Sequence, residues 1–237
     1  MVGSLILDII YPDSNICLNC GKVYLFSEIR CLCDSCLSRI KLSEYYCSIC
    51  GRELESDKDL CSFCQEYSFR FDLARSVGIF AGLLKKLLLR FKYEHSLKIT
   101  YPLVKLLALS LENYYHFENI DHLIPVPIHN NRMLQRGFNQ AYLITKGLST
   151  ETGIPLSRDV KKVKDNPPLF KYAYNKRRDL LKNSFLIEDN LFSGQTILLI
   201  DDIFTTGATA DEISHQLKKV GGADRVLVLT IATACTY

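Results

Sequence analysis

The chain has 237 residues, 48% hydrophobic and 23% charged, with 29 Lys and Arg against 26 Asp and Glu for a formal net charge of +3. That length suits one mid-sized core plus a small module, and the composition excludes a disordered chain. No apolar run approaches the roughly 20 residues that cross a bilayer, so membrane insertion is not expected.

In chain order, Leu5 to Ile10 reads as a short helix or strand. The stretch from Met1 to Ile10 has no basic flank and no small-residue cleavage site, which argues against a signal peptide and for a cytoplasmic location. In a reducing compartment ten cysteines are better explained by metal than by disulfides.

Eight of them form four Cys-x-x-Cys pairs: Cys17/Cys20, Cys33/Cys36, Cys47/Cys50 and Cys61/Cys64. Gly21 and Gly51 follow the first and third pairs, so one unit occurs twice. Each unit reads as two knuckles completing a tetrahedral thiolate site, with glycine permitting the tight turn. Two structural Zn²⁺ ions fit best. An iron–sulfur cluster is the minor alternative, and a cross-braced pairing stands beside the sequential one. A closed four-cysteine site leaves no open coordination position, so these metals hold shape rather than catalyse. Cys31 reads as a spare thiol, or as a ligand if Cys33 is not one; Cys235 reads as a buried apolar side chain. The ribbon module is assigned to residues 1–67.

A second domain, 68–237, begins where the composition shifts near Ser68. Ala74 to Phe80 reads as a strand. Leu83 to Tyr93 reads as an amphipathic helix with leucines and Phe91 inward and Lys85, Lys86, Arg90 and Lys92 outward. A second helix is expected from Pro102 to about Tyr115. His122 to His129 reads as a strand interrupted by prolines, followed by a turn carrying Arg132 and Arg136. Gly137 to Ala141 opens a helix reaching about Ser149, and a strand is expected near Val160.

Between Lys161 and Lys182 stand eight basic residues, Lys161, Lys162, Lys164, Lys171, Lys176, Arg177, Arg178 and Lys182, against Asp165 and Asp179. Phe170, Tyr172 and Tyr174 interleave them, the combination that phosphate attraction plus base stacking requires. A solvated loop with aromatics packed on the body is the equal alternative. Phe185 to Glu188, Thr196 to Ile200 and Arg225 to Thr233 complete the strands. Strands alternating with helices imply an α/β fold with a parallel sheet flanked by helices.

The strand at Thr196 to Ile200 is uncharged and should end at Asp201 and Asp202, followed by the small residues Thr205, Thr206, Gly207, Ala208 and Thr209 and by a helix marked by Ile213, Leu217 and Val220. Strand, acidic pair, tight loop and helix suit a phosphorylated ribose: carboxylates accept from vicinal hydroxyls, and loop amides meet the phosphate. An ordinary turn with aspartate as a helix cap is the plain alternative. The segment resembles the phosphoribosyl pyrophosphate (PRPP) signature of type I phosphoribosyltransferases. Arg132 and Arg136 could supply bidentate phosphate contacts beside it, surface charge being the other reading.

The wider pattern is similar to the ComF family of competence-associated proteins. It is carried by the four Cys-x-x-Cys pairs, Phe91-Lys92-Tyr93, Pro125-Val126-Pro127-Ile128-His129 with Arg132, Arg136-Gly137-Phe138-Asn139-Gln140-Ala141, Arg178 with Asn183 and Phe185, and Ile200 to Thr209. The resemblance implies a double zinc ribbon before a type I phosphoribosyltransferase-like domain, PRPP with Mg²⁺ as ligand, Asp201 and Asp202 on the ribose and Thr205 to Thr209 on the 5′-phosphate. It also implies single-stranded DNA as a partner in natural transformation, in company with a competence helicase or other DNA-processing proteins. Two departures stand out. Asn166-Pro167-Pro168-Leu169-Phe170 replaces the family's Thr-x-x-Gln stretch. Thr205 stands where purine-salvage relatives place an acidic general base, and a threonine accepts a proton poorly near neutral pH. Purine salvage is therefore not expected. Ribosyl-phosphate transfer with pyrophosphate release, or binding without turnover, both remain as expectations.

Overall fold

The structure, a computed structural model, describes residues 15–234 apart from 43, 95, 117 and 168. The expected element at 5–10 and Cys235 lie outside the described residues. Six strands are described: β1 (Leu73–Ile79), β2 (His122–Pro125), β3 (Lys161–Lys162), β4 (Phe185–Leu186), β5 (Thr196–Phe204) and β6 (Arg225–Thr233). The helices are α1 (Asp34–Leu37), α2 (Ser62–Glu66), α3 (Gly82–Tyr93), α4 (Thr100–Tyr115), α5 (Asn130–Arg136), α6 (Gln140–Thr152), α7 (Tyr174–Leu181) and α8 (Ala208–Lys219).

Four strands form one parallel sheet in the order β1-β6-β5-β2. A single parallel bridge, Leu123 to Leu156, extends it beyond β2. Residues of β5 and β6 are buried on both faces and alternate between two hydrophobic clusters, as a two-residue period requires. Leu198, Ile200, Leu227 and Leu229 join α3, α4 and α6 on one face; Ile197, Leu199, Val226 and Val228 join α7 and α8 on the other. Fully burying one such side chain contributes about 2 kcal/mol.

The ribbons divide in the same way. Cys17, Leu32 and Cys36 belong to the first cluster, whereas Cys47 and Cys50 belong to the second. The chain between them runs along β1, the edge strand: Ile79 N–H donates to the Lys41 carbonyl and Ala74 N–H to the Ile49 carbonyl, each near 2.8–2.9 Å. Arg75 donates to the Cys47 and Ser48 carbonyls. The edge is thereby covered, which removes a template for strand addition.

Several local expectations change. Strand β5 does not stop before the acidic pair but continues through it to Phe204, because β6 stays in register alongside, Asp201 opposite Thr230 and Phe204 opposite Thr233. Arg132 and Arg136 lie on the short helix α5, not in a turn; His129 caps its first turn and Gly137, at φ +74°, ends it. The next helix therefore starts at Gln140. The strand near Val160 shrinks to a two-residue antiparallel pairing of β3 with β4.

Candidate functional site

Each four-cysteine group is sequential, Cys17, Cys20, Cys33 and Cys36, then Cys47, Cys50, Cys61 and Cys64, with all four sulfurs within 4.8 Å of one another. Cys20 and Cys33 sulfurs are 3.7 Å apart and those of Cys50 and Cys61 3.6 Å. Thiolates around one tetrahedral zinc at 2.3 Å stand about 3.8 Å apart, so this donor set fits structural Zn²⁺. Cys31 is fully buried with φ +71° and stands outside the group.

The acidic pair stands within the last residues of β5 before Phe204, at a cleft of about 150 Å³ lined by Lys92, Arg132, Arg136, Gln140, Lys162 and Thr209 among others. Lys92 Nζ donates to Asp202 Oδ2 at 2.7 Å, and Asp202 N–H donates to Asp201 Oδ1 at 2.8 Å. Burial, and next the Asp202 charge, push the Asp201 carboxyl up to about 8. Across the cleft burial, and next the Arg132 charge, bring Lys162 down to about 8. Two carboxylates thus face four cationic side chains in a partly desolvated pocket, an arrangement that suits a polyhydroxylated, phosphorylated ligand. The Gln140 Nε2 is buried and has no hydrogen-bond partner among the described residues. A buried amide donor in that state points to an acceptor supplied from the cleft.

Beyond the pair, Phe204 ends the strand and Gly207, at φ +82°, turns the chain into α8. A Cβ there would lie 2.8 Å from both Phe204 Cζ and Phe69 Cε1, so only glycine fits without displacing a ring. Thr206 Oγ1 accepts from Ala208 N–H at 3.4 Å. Arg177 donates to the Thr205 hydroxyl at 3.0 Å, and Arg52 donates to the Thr205 carbonyl at 3.0 Å. The loop is held from both sides, by the basic stretch and by the second ribbon.

The structure divides that basic stretch. Lys161, Lys164, Lys171, Lys176 and Lys182 are exposed. Lys162 instead lines the acidic cleft, Arg177 holds the loop, and Arg178 stands 3.8 Å from buried Asp211 while stacking on Tyr174. Tyr174 is itself buried, ringed by Phe63, Tyr67 and Phe69, so it is not presented to a base.

Besides Lys162, four residues of the site were not assigned to it from composition or periodicity. Lys92, expected to face solvent, faces the acids, because the last turn of α3 reaches the strand end. Asn139 donates to the Val126 carbonyl at 3.0 Å and fixes the entry of α6, placing Gln140 in the cleft. Lys92, Asn139 and Gln140 all sit in the motifs that carry the family resemblance. Arg52 carried no signal except its place two residues after Cys50.

Two four-cysteine sites, a parallel sheet, an acidic pair near the end of one of its central strands and a glycine loop opening a helix define a double zinc-ribbon protein with a parallel α/β domain. Residues 6–65 match the family described as Double zinc ribbon domain. Competence protein F of Haemophilus influenzae is 33% identical over 212 residues, covering 86% of this chain and 91% of that protein. The chain belongs to the ComF family of competence proteins. Competence protein ComFC of Bacillus subtilis is 28% identical, with 88% and 87% covered, and DNA utilization protein YhgH of Escherichia coli O157:H7 is 27% identical, with 81% and 92% covered. Among solved structures, adenine phosphoribosyltransferase from Saccharomyces cerevisiae superposes with a TM-score of 0.36 at 19% identity, covering 65% of this chain and 69% of that one. A score of that size does not by itself define a shared fold.

Proposed function

We propose that this protein binds PRPP with Mg²⁺ and handles single-stranded DNA during natural transformation, in the cytoplasm. Asp201 and Asp202 would hold the ribose hydroxyls, Thr205 to Thr209 the 5′-phosphate, and Arg132, Arg136 and Lys162 the pyrophosphate side. The observation that carries this reading is the cleft itself, where the acidic pair faces Lys92, Lys162, Arg132 and Arg136 beside the Gly207 loop. Bound Mg²⁺ would screen the pyrophosphate charge and favour its departure. The names of the relatives, competence and DNA utilization proteins, support the DNA-directed part. So do the exposed lysines between Lys161 and Lys182.

If turnover occurs, it proceeds without a covalent nucleophile: the pocket would stabilise an oxocarbenium-like sugar as pyrophosphate leaves. One observation favours binding without turnover. The Thr205 hydroxyl accepts from Arg177, so no carboxylate stands there to take a proton from an attacking group. Isothermal titration with PRPP and Mg²⁺, repeated on Asp202→Ala, tests the ligand; a variant that binds as well as the parent rejects the site. Pyrophosphate release in the presence of single-stranded DNA separates enzyme from sensor.

A further inference from the structure

The second ribbon reaches the Thr205–Thr209 loop through the Arg52 side chain. Arg52 follows Cys50 by two positions, and its own carbonyl accepts from Cys47 N–H at 2.8 Å, so its backbone is part of the metal knuckle. Its side chain runs inward and is only 2% exposed. The guanidinium lies 4.4 Å from the centre of the Phe63 ring and 5.8 Å from that of Phe204, and its Nη2 donates to the Thr205 carbonyl. Phe63 sits between the ligands Cys61 and Cys64; Phe204 is the last strand residue before the loop. Both jaws around Arg52 are therefore fixed, one by the metal site and one by the strand that carries the acidic pair.

A buried guanidinium needs a counter-charge, and among the described residues no carboxylate lies within ion-pair distance of Arg52. Four thiolates around Zn²⁺ carry a net charge of about −2, and the knuckle that would carry it is the one from which Arg52 springs. Zinc loading would fix the knuckle from which Arg52 springs and would add that negative charge beside it. Held there, Arg52 fixes the Thr205 carbonyl through its hydrogen bond and adds positive potential near where phosphate would bind.

We propose that Arg52 is a positioning residue that couples metal loading of the second ribbon to the conformation of the Thr205–Thr209 loop, so that Zn²⁺ and the phosphate ligand bind cooperatively. The ligand half of this statement rests on the PRPP reading above; the coupling half does not. Because linkage is reciprocal, PRPP should raise the Zn²⁺ affinity of the second ribbon by the same factor as Zn²⁺ raises that for PRPP.

The test uses the full chain loaded with two Zn²⁺ and its Arg52→Met variant. Three quantities are read: amide hydrogen exchange at Thr205–Thr209, PRPP–Mg²⁺ affinity by titration calorimetry, and the rate of Zn²⁺ transfer to a chromogenic chelator with and without PRPP. Arg52→Met should raise loop exchange about tenfold, weaken PRPP by a similar factor, and abolish the effect of PRPP on Zn²⁺ transfer. Arg52→Lys, which keeps the charge without the fork, should recover part of each. Parent-like loop exchange in metal-loaded Arg52→Met overturns the coupling. A parent that fails to bind PRPP overturns the ligand reading alone, since loop exchange still reports on the coupling. If Arg52→Met does not retain its second Zn²⁺, Phe63→Leu, which removes one jaw and keeps the hydrogen bond, decides by the same measurements.

Discussion

Lys92 Nζ and Asp202 Oδ2 are 2.7 Å apart, although the two residues come from the last turn of a helix and the end of a strand 110 positions later. The pair neutralises one of two adjacent carboxylates in a partly desolvated cleft. In the proposed complex, ribose hydroxyls would meet Asp202 beside this cation, and Mg²⁺ would take over part of its charge. Lys92→Met is expected to weaken PRPP binding about tenfold, or about 1.4 kcal/mol, at low Mg²⁺ and by less as Mg²⁺ rises. Calorimetry at two Mg²⁺ concentrations checks it; equal losses at both exclude charge sharing.

Asp201 gives the ligand-free protein a pH dependence whose sign follows from its environment. Burial and the Asp202 charge raise it from 3.8 to about 8. An acid raised in the folded state contributes stability that is fully present below its unfolded value and is lost as pH rises through its folded one. The window is therefore about pH 4 to 8. Asp201→Asn removes that loss while removing a proposed ligand contact. The variant should melt above the parent at about pH 8.5 and lose this advantage toward about pH 5, yet bind no PRPP. Thermal melts of both proteins across this range decide the matter, and parallel curves would refute it.

The two repeated glycines should not be equivalent. Gly51, at φ +68°, has the Ala74 carbonyl oxygen 2.6 Å from where a Cβ would sit, whereas Gly21, at φ +72°, has nothing within 4 Å. Gly21→Ala then carries only the left-handed backbone penalty, about 1–2 kcal/mol. Gly51→Ala must also push the ribbon off strand β1, costing at least about 2 kcal/mol more. Denaturant titration of the two variants, with zinc content measured, compares them directly.

For DNA, the exposed lysines and the arginine that holds the loop should separate. Replacing Lys161, Lys171 and Lys176 with alanine should lower single-strand affinity and reduce the slope of log K against log salt by about 0.7 per lysine. Arg177→Ala should instead loosen the Thr205–Thr206 contact and act on PRPP binding. Fluorescence anisotropy over a salt series tests the first statement. An unchanged slope in the triple variant would place the DNA elsewhere.

Much of this protein was legible because it depends on local chemistry. Cysteine spacing fixes two metal sites, since sulfur reach is short and the knuckle needs its glycine at one position. Uncharged runs fix β5 and β6 as buried strands. The two-carboxylate, small-residue segment fixes where a phosphate-binding loop can form. What was misread depends on neighbours far along the chain. Asp201 and Asp202 belong to the strand because β6 lies beside them, and Lys162 left the basic stretch for the acidic cleft because pairing with β4 carries it there. Lys92 looks solvent-facing on its helix until that helix is laid against the strand end.

By itself, then, the sequence determined the parts: two thiolate sites, a parallel sheet and a loop able to meet a phosphate. Tertiary structure decided how the parts touch. It set Lys92 against Asp202, sent the ribbons to opposite faces of the sheet across the β1 edge, and ran Arg52 from a metal knuckle to the Thr205 carbonyl. Such contacts join residues up to 153 positions apart. No local periodicity encodes them; they follow from packing two buried faces of one sheet.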